Sequence, residues 1–170
     1  MSAVSSKRSK GFSRWAALGR KDRERQLLHA VALFVPLLEA AGFEWVERCF
    51  DVGIAQANSI NLEREHGNGQ VDFLLIIFDR YRRARFQVSA GTKEKEPPHR
   101  WVRAGALVWE KKNALVKYKW WGAKWWHFDK NAALDRAIEQ VALLLPQLVD
   151  YLSTGVAGAN VWPSEIGKER

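Results

Sequence analysis

The residues best suited to chemistry lie in an aromatic and basic segment, residues 117–128, which holds four tryptophans and three lysines. Aromatic faces stack on bases and lysines neutralise phosphates, so this composition is typical of proteins that bind single-stranded nucleic acid. The alternative is that alternate aromatic residues fill the core beside the C-terminal helix while the lysines face water. The candidate binding residues of this segment are Lys117, Lys119, Trp120, Trp121, Lys124 and Trp125.

A cluster of arginines at a predicted hairpin forms a second candidate surface. Guanidinium groups bind phosphates and carboxylates with a forked geometry. The alternative is a solvated hairpin tip that prevents the sheet from pairing with its neighbours. The candidate binding residues of this cluster are Arg80, Arg82, Arg83 and Arg85.

An enzyme hypothesis rests on the carboxylates. A metal-dependent nuclease of the helix-strand-strand type would combine Glu47, Asp72 or Asp79 with a later strand carrying Glu or Gln, one spacer and Lys. The corresponding stretch, Gln87–Ser89, has no lysine. The four histidines are scattered, and the sequence contains no Gly-rich phosphate loop and no Gly-x-Ser-x-Gly elbow. We therefore expect no catalytic residue, no metal ligand and no cofactor.

Charge is distributed unevenly along the chain, whose formal net charge is +8. Residues 1–30 carry eight basic and two acidic side chains, and residues 80–103 carry the same numbers. The early strands are acidic. This asymmetry predicts a basic later half that attracts an anionic partner, either an acidic protein surface or a nucleic acid.

Length and composition predict one domain, since 170 residues with 47% hydrophobic content can bury a sizeable core. The first 26 residues are charged throughout and lack the apolar run of a signal peptide. The longest apolar stretches are too short for a membrane span. A single cysteine, Cys49, excludes an internal disulfide. We expect a cytoplasmic protein that does not bind membranes.

Hydrophobic periodicity predicts an α+β fold, with a single antiparallel sheet of about five or six strands flanked by an N-terminal and a C-terminal amphipathic helix. Apolar residues recur at helical spacing over residues 21–41 and 131–153, and Pro36 and Pro146 predict a kink or break in these helices. Links between the strands are too short for parallel crossovers. The predicted strands are residues 43–50, 59–64, 71–79, 84–90, 102–110 and 114–120.

Three further predictions concern the central strand, the ends of the second helix and the limits of the domain. The run 73–78 is apolar on both faces, which predicts a strand in the middle of the sheet. Asp129 or Asn131 can cap the second helix, and Gly155 can close its end. We expect a flexible basic arm over residues 1–19, a domain over residues 20–156 and an irregular tail over residues 157–170.

The order of elements resembles a family of uncharacterised bacterial domains. In that family a helix leads through a glycine and an aromatic residue, here Gly42-Phe43, into an antiparallel sheet, followed by a Trp-Trp pair and a helix with a late Leu-Pro. The matching residues here are Trp120-Trp121 and Trp125-Trp126, then Asp129, then Leu145-Pro146-Gln147-Leu148. The resemblance covers residues 23–153, although this chain doubles the tryptophan pair and adds a basic arm. It implies a fold and a bacterial origin, and no established activity.

Taken together, the residues predict a non-enzymatic binding or interaction protein that uses its basic, tryptophan-rich later half. We favour a protein partner, because an acidic protein surface can use the same arginines and tryptophans as anchors. The alternatives are a nucleic-acid-binding protein and a metal-dependent nuclease with a degenerate motif.

Overall fold

In the part of the chain that the structure describes, two helices pack on one face of a seven-stranded antiparallel sheet, which confirms the predicted α+β class. The computed structural model describes residues 20–46, 59–79, 83–98, 100–108, 120–123 and 127–164. Across these residues, neither helix combines the length and apolar character needed to cross a membrane. The elements are α1 (Arg20–Ala40), β1 (Glu44–Trp45), β2 (Ser59–Glu65), β3 (Gln70–Phe78), β4 (Arg85–Glu94), β5 (Trp101–Leu107), β6 (Trp121–Gly122), α2 (Lys130–Thr154) and β7 (Val161–Pro163).

Helix α2 begins and ends where the sequence predicts. The Asp129 side chain accepts a hydrogen bond from the Ala132 amide at 2.9 Å, which satisfies an amide of the first turn. Gly155 ends the helix in the left-handed conformation (φ 80°) and donates its amide to the Tyr151 carbonyl. The helical spacing of the buried face follows the predicted pattern, with Leu134, Ile138, Val141, Leu145, Leu148 and Leu152 all buried.

A kink or break was predicted at each proline, and the structure excludes the break, because both helices continue through their prolines. Pro36 and Pro146 are both exposed, so each ring lies on the solvent side of its helix. The buried face on the opposite side packs into one core and holds the helix together on both sides of each proline. Tertiary packing therefore outweighs the lost backbone hydrogen bond.

The sheet has the order β1-β2-β3-β4-β5-β7, and β6 pairs with the start of β4. Strand β3 lies between β2 and β4, which confirms the central position predicted from its apolar run. Strand β7 was not predicted. It pairs with β5 through Ala106↔Trp162 and its neighbours, so the segment after Gly158 is not wholly irregular. The arm over residues 1–19, Cys49 and Glu47 lie outside the described residues.

Alternate residues of each strand face the helices, and cross-strand partners share a face. The helix-facing side carries the core, which includes Leu62, Leu74 and Ala90 in one register row. The opposite side, which we call the outer face, carries Phe73, Leu75 and Ile77 of β3, all of them half-buried.

The two helices run parallel to each other. Near their N-terminal ends, Arg25 donates to Asp135 at 3.1 Å and Gln26 donates to Asn131. One turn further on, His29 faces Glu139 at 4.0 Å. Both helices therefore begin at the same end of the sheet and finish at the other.

Candidate functional site

The sheet brings the arginine cluster and the tryptophan segment together. Antiparallel pairing places Arg85 opposite Gly122 and Phe86 opposite Trp121. The Arg85 guanidinium carbon lies 4.5 Å from the centre of the half-buried Trp120 ring, within range of a cation–π interaction. Two regions that are separate in the sequence thus contribute to one surface.

The charges of this surface are compensated by Asp79. Its carboxylate accepts a hydrogen bond from Arg85 Nε at 2.6 Å, and Arg83 Nε lies 3.2 Å from the same oxygen. Asp79 is buried, while both arginine side chains remain about 30% exposed. Because both guanidinium groups are held against one carboxylate, they are less available to a phosphate than two unpaired arginines would be.

Trp121 belongs to the core, which corrects its predicted place on a binding surface. The side chain is 1% exposed, and its Nε1–H donates to the Leu107 carbonyl at 3.2 Å. Its strand alternation turns it toward the helices together with its register partner Phe86. An indole enclosed in this way cannot stack on a partner. Six of the other predicted binding residues lie outside the described part of the chain: Arg80, Arg82, Lys117, Lys119, Lys124 and Trp125.

The nuclease candidate Asp72 is fully buried and engaged by cationic and hydroxyl groups. One carboxylate oxygen accepts from Thr92 Oγ1 at 2.6 Å. The other accepts from Arg64 at 2.6 and 3.1 Å and lies 2.8 Å from His66 Nε2. Both oxygens of this carboxylate are therefore engaged by protein side chains. Within the part of the chain that the structure describes, no cluster of three metal-binding side chains occurs.

Arg64 connects the Asp72 cluster to the ends of both helices. One terminal nitrogen of its guanidinium group donates to the Ala41 carbonyl at 3.0 Å, just beyond α1. The other donates to Ser153 Oγ at 3.2 Å, in the last turn of α2. The cluster therefore has a structural role, joining β2, β3 and β4 to two helix C-termini.

The electrostatics of Asp72 predict a specific pH dependence of stability. Burial alone would raise its pKa, but hydrogen bonds from Thr92, Arg64 and His66 outweigh burial and hold the pKa below its usual value of 3.8. The unfolded chain therefore takes up this proton more readily, so the stabilisation is present above about pH 4 and is lost as the pH falls through the folded-state pKa.

We expect Asp72→Asn to reduce stability at neutral pH and to flatten its decline at acid pH. The measurement is the free energy of unfolding by urea from pH 7 to pH 2, taken as the difference between the two proteins. Other carboxylates titrate equally in both, so they cancel. Parallel pH curves for the two proteins would contradict the role of Asp72.

An exposed aromatic patch, which the sequence reasoning did not identify, lies on the outer face. We define it as Phe73, Lys93, Trp101 and Val102. Trp101 is 49% exposed and Val102 is 44% exposed. The Phe73 and Trp101 rings meet edge to face with centroids 4.8 Å apart, and the Lys93 ammonium lies 6.0 Å from the Phe73 ring centre.

Gly91 allows this patch to form. A Cβ atom at this position would lie 2.6 Å from Phe73 Cζ and 2.8 Å from Trp101 Cζ3, so the two rings occupy the space of its missing side chain. A register shift in β5 at the level of Thr92 and Lys93 brings Trp101 opposite Lys93. The sequence signal that could have located the patch is a glycine inside a strand, which often marks the close approach of other groups.

Comparisons with known proteins supply no further information about this site. No family model matches the chain, no curated protein matches it, and no solved structure matches it. The resemblance to bacterial helix-sheet-helix domains consequently stays a prediction, and the functional argument rests on the geometry of the described residues.

Proposed function

We propose that this protein is a non-enzymatic binding protein that docks another protein on the outer face of its sheet. The observation that carries the proposal is the exposure of Trp101 beside Phe73, Lys93 and Val102. Tryptophan is enriched among the residues that dominate binding energy at protein interfaces, where a fully desolvated aromatic anchor is surrounded by polar contacts.

The charges around the patch favour an acidic partner surface. Lys93 lies in the patch and the exposed Arg100 precedes Trp101, so two cations adjoin its Trp101 side, while Glu63, the register partner of Phe73, places one carboxylate on the other side. Arg85, further along the outer face, is already held by Asp79, as is Arg83. A partner with an apolar centre and a few carboxylates at its edge would complement this arrangement, whereas a phosphate backbone requires many available cations.

A nucleic-acid partner is the second candidate, supported by a specific observation. Cation–aromatic pairs occur at both ends of β4, Arg85 with Trp120 and Lys93 with Phe73. Eight residues of strand separate the two cations, which corresponds to about 26 Å. Aromatic rings with adjacent cations at this spacing could contact several nucleotides of a single strand.

We expect Trp101→Ala to weaken partner binding at least about tenfold while leaving stability nearly unchanged, because anchor residues commonly contribute about 2 kcal/mol or more to affinity. The full chain would be used to isolate a partner from a lysate of the source organism at low salt, and the dissociation constant of the purified pair would be measured by calorimetry. The matched control is Leu28→Ala, which removes a more exposed apolar side chain (68%) from helix α1.

Equal affinity of the Trp101 variant and the parent protein would contradict the proposed interface. The same assay includes single-stranded oligonucleotides. The nucleic-acid function is supported instead if the oligonucleotides bind with salt-dependent affinity. The plot of the logarithm of the association constant against the logarithm of the salt concentration should then have a slope of about −0.7 for each phosphate neutralised. Deleting residues 1–14, which carry four basic side chains, should then reduce that slope. Failure to recover either kind of partner would remove both functions.

We propose that the protein acts in the cytoplasm. The single thiol of Cys49 needs no oxidising environment, since the chain has no second cysteine to pair with it. Cell fractionation followed by immunodetection tests this assignment, and recovery in a membrane or extracellular fraction would contradict it.

A further inference from the structure

The outer face carries charges of opposite sign on the two sides of β3. Glu44 of β1 and Glu63 of β2 are register partners and share one side. Lys93 of β4 lies on the other side, where the exposed Arg100 precedes its register partner Trp101. The half-buried apolar side chains of β3 separate the two groups. The face therefore has an acidic side, an apolar centre and a basic side.

These charges are not neutralised within the part of the chain that the structure describes. Neither Glu44 nor Glu63 forms an ion pair there, and like charges directly opposite each other in a sheet repel. Lys93 contacts the Phe73 ring and forms no ion pair in the same residues. The acidic and the basic side are thus both available to a partner of opposite charge.

Twofold symmetry provides such a partner. In an isologous interface the same surface occurs on both copies, so a contact between residues i and j is repeated as a contact between j and i. Strand β3 is central in the order β1-β2-β3-β4-β5. If two outer faces meet and the axis runs along β3 between them, β2 of each copy faces β4 of the other, and β1 faces β5. The acidic side then lies over the basic side twice.

The positions of the side chains fit this arrangement. Glu63 lies in the same row as Phe73, and Lys93 lies two residues along β4 from that row. This offset is about 6.6 Å, which the flexible stem of a lysine can span. Phe73, Leu75 and Ile77 lie near the axis and would meet the same residues of the second copy. Facing sheets pack about 10 Å apart over side chains of this kind.

We propose that the partner on the outer face is a second copy of this chain, which forms a twofold-symmetric dimer. The inference rests on the proposed function, because it names the partner of that surface. Strands β1 to β5 span about 19 Å, and the nine residues of β3 span about 30 Å. A face of this size is at the lower end of the range for specific interfaces, so the dimer is expected to dissociate on dilution.

The oligomeric state is measured by analytical ultracentrifugation of the purified full chain. The concentration is varied from about 1 to about 500 μM, a range that covers micromolar dissociation constants. We expect the mass of one chain at the lowest concentration and the mass of two chains at the highest.

An exchange of charges tests the symmetry. Glu63→Lys and Lys93→Glu each place like charges opposite one another in both halves of the interface, so either variant alone should dimerise at least about tenfold more weakly than the parent. An equimolar mixture restores both attractive pairs, so the mixed dimer should form within about threefold of the parent affinity. The control is Lys21→Glu, which makes the same charge change on the exposed side of α1 and should leave self-association unchanged.

Leu75 tests the position of the axis. A residue near the axis faces its own counterpart, so Leu75→Glu and Leu75→Arg should each weaken the dimer at least about tenfold when present alone. A mixture of the two variants should associate, because opposite charges then meet at the axis. Circular dichroism establishes whether each variant is folded. If a variant of Glu63 or Lys93 does not fold, the Leu75 pair decides.

Three results would overturn the inference: a parent protein with the mass of one chain at every concentration, a dimer that the charge variants leave unchanged, and weakened variants that do not recover on mixing. If the parent stays monomeric but a different protein binds through Trp101, only the identity of the partner is wrong and the proposed function stands. If mixing restores the dimer but Trp101→Ala changes no affinity, the dimer stands and the Trp101 anchor of the proposed function is wrong.

Discussion

Replacing Trp121 with alanine is expected to lower the free energy of unfolding by about 3–5 kcal/mol, the usual cost of removing a large buried aromatic side chain. The indole is among the largest fully buried side chains of the core, and β6, which carries it, packs against α2. Its loss opens a cavity between sheet and helix and leaves the Leu107 carbonyl without its donor. Urea denaturation followed by circular dichroism measures the effect.

Trp120→Ala is the natural comparison, because it removes the same side chain one residue earlier. Trp120 is half-buried and contacts the Arg85 guanidinium, so its replacement should cost about 1 kcal/mol or less. Similar losses in the two variants would contradict the assignment of Trp121 to the core and Trp120 to the surface.

The second large effect is expected from Arg64→Met, which should destabilise the protein by about 3–5 kcal/mol because it leaves a buried carboxylate without its cationic partner. The Arg64 side chain is only 16% exposed, and it provides both of the guanidinium hydrogen bonds to Asp72. The variant also removes the donors that reach Ala41 and Ser153, so the ends of both helices lose a connection to the sheet. Urea denaturation at neutral pH measures the loss.

Lys95→Met is the matched control for this prediction. Lys95 pairs with Glu65 at 2.8 Å, but both side chains are more than half exposed, so this change should cost no more than about 1 kcal/mol. Combining Arg64→Met with Asp72→Leu removes the stranded charge and should be at least about 1 kcal/mol less destabilising than the sum of the single changes. A loss for Arg64→Met no greater than that for Lys95→Met would refute the structural role of the cluster.

Local rules were sufficient to predict the helices and the centre of the sheet. Helix α2 follows from its repeat of apolar residues, and its ends follow from the hydrogen-bonding capacity of Asp129 and the left-handed conformation available to Gly155. The central position of β3 follows from its apolar run, since a strand at a sheet edge would expose part of it.

Features that depend on how the strands pair were harder to predict from the sequence. A strand alternates its side chains, so a shift of one residue decides whether Trp120 or Trp121 is buried, and the pairing of β6 with β4 settles this only in the folded chain. Strand β7 is three residues long and depends on β5 for its hydrogen bonds. Its sequence carries little signal of its own.

The Arg64–Asp72 contact was only partly predictable from the sequence. Both strands were predicted, and the β2–β3 register pairs Arg64 directly with Asp72. The predicted strand bounds, 59–64 and 71–79, would instead place Arg64 opposite residue 71, one residue out of register. The ion pair that makes Asp72 a structural carboxylate therefore depends on a register that is settled only in the folded chain.

The parallel packing of α1 against α2 has a consequence for how the chain folds during synthesis. Arg25 and Asp135, which join the two helices, are 110 residues apart in the sequence. Contacts at such separation form late, because a long loop must close before they contribute. The ribosome releases α1 first, and its apolar face has no helical partner until α2 has been made. Nascent chains shorter than about residue 152 therefore expose that face and are the species that a chaperone would bind.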